Sequence, residues 1–488
     1  VLGPWVAHAL PEAPFRVQTK LDYQPPLIQV KNLQADIAGN LMMGQFDVSG
    51  EGDELDGHGS VTLSGPSSSS LYQLLGLDVS DYLPDTNYSL KMQIKGDSAV
   101  LNVAPLTLKL GESDLSGTLA LQFSPTLAVN ADLLSQHLDL TYLVPDIEAL
   151  EAQEKAATGT VVPVEDLTNT LSEAELAERA IPDTALDFSW LQGLQASLSY
   201  RIKKVDFQPG AGAAMNLELD IRDSKLTLRE FDWDGVKANG LVRATVQNAG
   251  ATSDFDLYFY SNRLPLVWLL GEKIPRDRPT DYRLRLLASG ATVREVAASL
   301  DGAVAFRAGG GRMNNRGFDL FFGDILGEIF SSLVPTAESE PYTNLECHAG
   351  AMLFKKGVVE LAPGLAFRTD KVDVVANGRI NLRNEKLNVA FATRSRKGVG
   401  ISVSKAITPY IKLGGNLANP QLVFDARGAA VSGGAAAVTG GLSILAAGLW
   451  DRWIATSKNP CRELYDNAEK DSRRAYKKLL VQPDPALM

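Results

Sequence analysis

From Leu345 to Asp425 the chain alternates apolar with polar or charged residues almost without a break, and few folds accommodate that rhythm. The stretch reads LECHAGAMLF, KKGVVELAPGLAFRT, DKVDVVANGRINL, NEKLNVAFATR and YIKLGGNLANPQLVFD, with short polar turns between the pieces. Side chains of a strand point to its two faces in turn, so period-two patterning predicts strands with one oily and one wetted face. Val359, Leu361, Leu365 and Phe367 keep this beat, as do Val372, Val374, Ile380 and Leu382. Gly, Asn, Asp and Lys mark the corners, and the stretch reads as a meander.

The same pattern fills most of the chain. Pro25 to Val61 gives three alternating runs, and Ser67 to Ser70 offers an N-cap hydroxyl to a short helix over LYQLLGL that stops at Gly76. Alternation resumes at Tyr88 and again from Leu186 to Tyr260, and Thr292-x-x-Glu295 predicts a capped helix ending before Gly302. Three segments align: Asp97-Ser98 leads to Leu115-Ser116-Gly117, Asp223-Ser224 to Ala238-Asn239-Gly240, and Lys356-Gly357 to Ala376-Asn377-Gly378. Each has a strand, a polar corner, a second strand and a small-small-Gly step, which points to a repeated supersecondary unit. For 488 residues the prior is about three domains. The 42 glycines and 7% aromatic content instead favour one mainly β, elongated antiparallel sheet with a few short helices.

Four regions follow. Residues 1–143 form the first part of the sheet, and 185–427 its central and later part. Residues 144–184 hold ten acidic residues against Lys155 and Arg179, and read as a solvated insertion. Residues 428–488 comprise an uncharged Gly/Ala-rich stretch, 428–450, and a polar helical tail. That stretch is long enough to span a membrane but poor in large apolar residues, so a closing or interfacial helix suits it equally. Within the third region Phe318, Phe321, Phe322, Ile325, Leu326, Ile329, Phe330 and Leu333 recur at three and four, predicting an amphipathic helix over 318–333.

Chemistry-bearing constellations are missing from the sequence. His8, His58, His137 and His348 are scattered without metal-ligand spacing, and neither a nucleophile elbow nor a phosphate loop is present. Asp232 and Asp234 read as turn residues. The expectation is a non-enzymatic protein without cofactor or metal. A net charge of -11 excludes nucleic acid as a partner, because phosphate binding needs clustered Lys and Arg. Cys347 and Cys461 fit no metal spacing and are either two buried thiols or one long-range bridge. The chain opens VLGPWVAHAL, with no readable targeting signal.

A sheet with one apolar face needs a covering layer, and the predicted helices are few and short for that task. An oily face that curls on itself without enough side chains to fill it suits hydrocarbon, at about 0.8 kcal/mol per buried methylene. Candidate lining residues are Leu226, Leu228, Phe318, Phe321, Phe322, Ile325, Val359, Leu361, Val372 and Val374.

Several runs, in order, are similar to the AsmA family of Gram-negative envelope proteins: SGTLALQFSPTLAVNADLLSQHLDLTYLVPD, SWLQGLQASLSYRIKKVDF, GATVREVAASLDGAVAFRAGGGRMNNRGFDL, the LECHAGAMLF to NEKLNVAF meander, LGGNLANPQLVFD and Asn459-Pro460-Cys461. The resemblance covers most of Leu186 to Cys461. It implies a folded-over β-groove, a periplasmic location, anchoring to the inner membrane by an N-terminal helix that this chain lacks, and a part in outer-membrane biogenesis. It further implies phospholipid acyl chains as ligands carried between inner and outer membrane, and a Cys347–Cys461 disulfide. The rival expectation is a scaffold or assembly factor for envelope proteins, contacting them through strand edges and the acidic insertion.

Overall fold

The computed structural model describes residues 14–50, 55–74, 84–143, 179–206, 212–235, 239–264, 280–314, 342–370, 372–395, 411–418, 420–424, 459–462 and 464. These residues are mainly β, with 23 strands and only short helices among them. The chain divides into two compact units, Val1–Pro145 with Ser189–Val236, and Asp146–Phe188 with Lys237–Met488.

Unit 1 holds β1 (Phe15–Gln24), β2 (Leu27–Ile37), β3 (Asn40–Ser49), β4 (Asp56–Gly65), β5 (Tyr88–Asp97), β6 (Val100–Leu110), β7 (Ser113–Gln122), β8 (Leu127–Ser135), β9 (Leu138–Asp139), β10 (Leu194–Asp206), β11 (Gly212–Arg222) and β12 (Lys225–Gly235). Helix α1 (Ser68–Leu74) lies between β4 and β5. From β1 to β8 each strand pairs antiparallel with the next. β10 then pairs parallel with β8 and β9, and β11 and β12 follow it antiparallel.

The aligned corners of the sequence are hairpin turns. Asp97 closes β5–β6 by accepting from the N–H groups of Ala99 and Val100 at 2.8 and 2.7 Å. Asp223 and Ser224 close β11–β12 with φ of 52° and 57°, the left-handed pair whose twist matches two paired strands. Parallel neighbours cannot be joined by a hairpin. At the β8–β10 junction His137 Nε2 lies 2.9 Å from Asp206 Oδ2 and its Nδ1 lies 3.0 Å from the Glu112 carbonyl. Lys204 beside Asp206, with the His137 bond, holds that carboxyl below the usual range. His137 is therefore a clamp on strand order, and His58 is paired with Asp47 at 3.6 Å on the wetted side.

Unit 2 holds β13 (Asn239–Asn248), β14 (Ser253–Leu264), β15 (Thr280–Gly290), β16 (Asp301–Ala308), β17 (Gly311–Asn314), β18 (Tyr342–Lys355), β19 (Val358–Thr369), β20 (Val372–Asn381), β21 (Lys386–Ser395), β22 (Ile411–Gly415) and β23 (Pro420–Phe424). Here the ladder is antiparallel throughout, with β16 and β17 both pairing with β18, at successive positions along it. Helix α2 (Val293–Ser299) is capped as its sequence predicts: Thr292 Oγ1 accepts from Glu295 N–H at 3.2 Å, and Glu295 Oε2 accepts from Ala291 N–H at 2.7 Å.

Of the acidic insertion, residues 144–178 lie outside the described residues. Its final residues are held against unit 2. Ala180 N–H donates to Glu385 Oε2 (2.6 Å), while Arg294 donates to the Ile181 carbonyl and pairs with Asp183, both at 3.0 Å. Ala185 bridges Thr292, and Asn248 donates to the Phe188 carbonyl (3.1 Å). The amphipathic segment 318–333 and the apolar stretch 428–450 also lie outside the described residues.

Candidate functional site: a one-sided apolar wall

Register decides which residues share a face, because directly paired residues project to the same side. In unit 1 Val48 opposes Ile28 and Gly57, Phe46 opposes Val30 and Gly59, and Met42 opposes Ala35 and Leu63. Leu90 opposes Leu63 and Leu108, and Leu108 opposes Leu115; Leu119 opposes Val103 and Ala131. Leu198 opposes Ala131 and Leu219, and Leu219 opposes Leu228. The run from β2 to β12 is thus one uninterrupted apolar wall.

Four strands keep to this side through an odd step. Val30 to Leu33, Val103 to Leu106, Ile202 to Val205 and Leu228 to Phe231 each advance three residues along one strand while the partner advances two. A β-bulge absorbs the surplus residue, so both apolar residues stay on the wall.

The opposite face is wet. It carries cross-strand pairs such as Arg201–Asp132 (3.0 Å) and Asn216–Asp232 (3.1 Å). Asp232 and Asp234 therefore sit within β12 on this polar face, not at a corner as the sequence suggests.

Most of the unit 1 wall is half-buried, including Leu90, Leu106, Leu119, Leu198, Leu226 and Leu228. Cover increases toward β10–β12, where Val205, Met215 and Trp233 are buried, and falls toward β1, where Phe15 and Leu21 are exposed. α1 stands at the rim formed by the ends of β2 and β4. Asn40 donates to Ser70 Oγ (2.9 Å) and accepts from Tyr88 Oη (2.5 Å), and Ser135 Oγ bonds Tyr200 Oη (2.8 Å) near the same rim.

Unit 2 repeats the arrangement. Val242, Phe259, Leu284, Val304 and Met352 follow one another in register on β13 to β18. Rings of Phe259, Tyr282, Phe306, His348 and Phe367 form a row across the strands, with neighbouring centroids 6.2, 6.0, 5.9 and 6.4 Å apart. Burial pushes Tyr282 up to about 12 and His348 down to about 4, so the imidazole is neutral at pH 7. Among the described residues His348 Nδ1 has no hydrogen-bond partner.

Beyond this row the wall is packed. Val359, Leu361 and Val374 belong to a buried cluster with Phe367, Ala376, Val389 and Phe391. The candidate lining residues therefore fall into four groups. Leu226 and Leu228 lie on the half-buried wall of unit 1, while Val359, Leu361 and Val374 lie on the tightly covered wall of unit 2. Val372 pairs with Ser395 at the start of β20, and Phe318, Phe321, Phe322 and Ile325 lie outside the described residues.

No protein-family model, curated protein or solved structure matches this chain.

Cys347 and Cys461 form a disulfide across a sequence separation of 114. Cys461 and Leu464 pack on Ala349, Ala366 and Val375, on the side of the sheet opposite to His348 and Phe367. The bridge thus fastens the late segment to the back of the wall. Among the described residues no helix is long and apolar enough to cross a membrane, and no group of three ligand-type side chains is placed to hold a metal.

Sequence reasoning missed most of the unit 1 wall, including Phe46, Leu63, Leu90, Leu119 and Leu198. Its signal is present as alternation plus the three-residue skips, flagged by Pro105 at one and by Lys203-Lys204 at another. Only the register shows that these runs share one side.

Proposed function

We propose that this chain is a non-enzymatic lipid carrier that shields acyl chains of phospholipids along the unit 1 wall. The observation that supports it most is continuity: from β2 to β12 the paired residues on one side are apolar or Gly, save for Asn40, Ser113 and Ser135 at the α1 rim, and most of them are only half covered. A single acyl chain laid on such a surface gains about 0.8 kcal/mol per methylene removed from water. An unbroken lining without charged stops favours sliding over one fixed site.

The Cys347–Cys461 bridge supports an oxidising compartment, since structural disulfides persist outside the cytosol. With the likeness to AsmA-type envelope proteins, the reading becomes periplasmic traffic of phospholipid between inner and outer membrane in support of outer-membrane biogenesis. The scaffold alternative draws on β1, whose outer edge has no partner strand among the described residues and whose Phe15, Val17, Leu21 and Tyr23 are exposed.

The deciding experiment is purification in mild detergent followed by mass spectrometry of co-extracted lipid. Leu106→Asp with Leu119→Asp should abolish recovery, while Thr107→Asp with Thr118→Asp, on the wet side of the same strands, should leave it intact. Equal recovery from both pairs, or none from the unmodified protein, would count against the carrier and leave the scaffold.

A further inference from the structure

At the rim of unit 1 away from α1, the strand ends carry large apolar side chains in the open. Phe123 and Leu127 flank the β7–β8 turn and are 42% and 43% exposed. Trp190, 51% exposed, sits in the 3-10 turn Ser189–Leu191 just before β10, and Leu194 of β10 pairs with Leu127. The three residues therefore crown adjacent strand ends. Farther along the same rim Tyr23 at the β1–β2 turn is 62% exposed, and Leu55, before β4, is 42% exposed. Hairpin turns at the opposite rim are instead Ala38-Gly39 and Gly111-Glu112, small or polar.

We infer that this rim rests on a lipid bilayer, with Phe123, Leu127 and Trp190 seated in its interface. Two features of the patch choose a bilayer over a protein partner, and a third chooses the kind of bilayer. Trp, Tyr and Phe on short turns match the boundary between headgroups and hydrocarbon, where an amphipathic ring satisfies both sides. The patch is also continuous with the wall, because Leu127 and Leu194 are its last pair and Leu121 with Val129 the next one in. A tail leaving the bilayer at this point reaches the wall without crossing water. Finally, Asp97 and Asp223 occupy the neighbouring turns of the same rim, which favours uncharged over anionic lipid surfaces.

The inference stands apart from the carrier reading, since a carrier that never touches a bilayer would still yield co-extracted lipid. Its test is flotation of the full chain with phosphatidylcholine vesicles whose acyl chains are brominated near the glycerol. The unmodified protein should float, with tryptophan emission quenched by the bromines. Phe123→Ser with Trp190→Ser, both outside the strands that carry the wall, should lower the bound fraction by about tenfold or more, because each exposed side chain loses a large part of its transfer free energy. Trp190→Phe should remove most of the quenching while the protein still floats. Both variants change exposed positions, and unaltered lipid recovery on purification would show the wall intact. Failure of the unmodified protein to float would overturn the inference, as would equal flotation of the serine variant or unchanged quenching in Trp190→Phe.

Discussion

At the scale of single residues, the backbone is most demanding at the small-small-Gly step. Gly117 and Gly378 hold φ of +152° and +144°, and a Cβ would lie 2.0 Å from the Asp132 carbonyl oxygen and 2.1 Å from that of Asn388. Neither strain nor space admits a side chain. Gly378→Ala should therefore destabilise unit 2 by roughly 1–3 kcal/mol, seen as a lower midpoint in urea unfolding followed by circular dichroism. His348 makes a second demand. Its folded pKa, near 4, lies below the unfolded value near 6.5, so the unfolded chain takes up the proton first on acidification. Stability from this group is complete above pH 6.5 and declines as pH falls toward 4, by up to about 3 kcal/mol. His348→Phe, which keeps a ring in the aromatic row, should flatten that part of the stability-versus-pH curve relative to the unmodified protein.

At the scale of elements, turns and strands were legible in the sequence because their causes are local. Asp97-Ser98, Asp223-Ser224 and Lys356-Gly357 each carry residues suited to a tight turn, and Thr292 with Glu295 announces α2. Thr292→Ala should cost about 1 kcal/mol, measurable as a shifted thermal midpoint. What could not be read was non-local. Nothing near Leu127 or Leu194 says that β8 and β10 run parallel, because their pairing depends on the return of a long connection. The same holds for Ala180 on Glu385, a contact across some two hundred positions that composition had suggested was solvent. Alternation placed Leu226, Leu228, Val359, Leu361 and Val374 on apolar faces, but only the paired neighbours separate the half-covered wall from the packed one. The bridge is an element-scale tie as well. Closing a loop of this length stabilises by about 4–5 kcal/mol in the chain-entropy model. Cys461→Ser, or reduction of the native protein, should lower the unfolding midpoint and free the segment around Leu464 for proteolysis.

For the molecule as a whole, both units obey one rule, an oily side and a wet side, although their cover differs. In unit 2 the wall from β18 to β22 is filled by its own side chains, and there substitution should act on stability. Val374→Asp is expected to prevent folding of that unit by leaving a charge unpaired among Val359, Phe367 and Ala376, detected as insoluble expression. In unit 1 the half-covered wall should accept polar changes with less structural damage, and there the same chemistry should appear as lost lipid. The bulges make this rule portable along the chain. At Val103–Leu106 and Ile202–Val205 they behave as frame corrections, so that segment lengths can drift by pairs of residues anywhere but by single residues only where a correction already sits. Deleting Lys203 would merely undo the correction at Ile202–Val205 and leave both residues on the wall, whereas deleting Ser199, away from any bulge, would turn the remainder of its strand inside out.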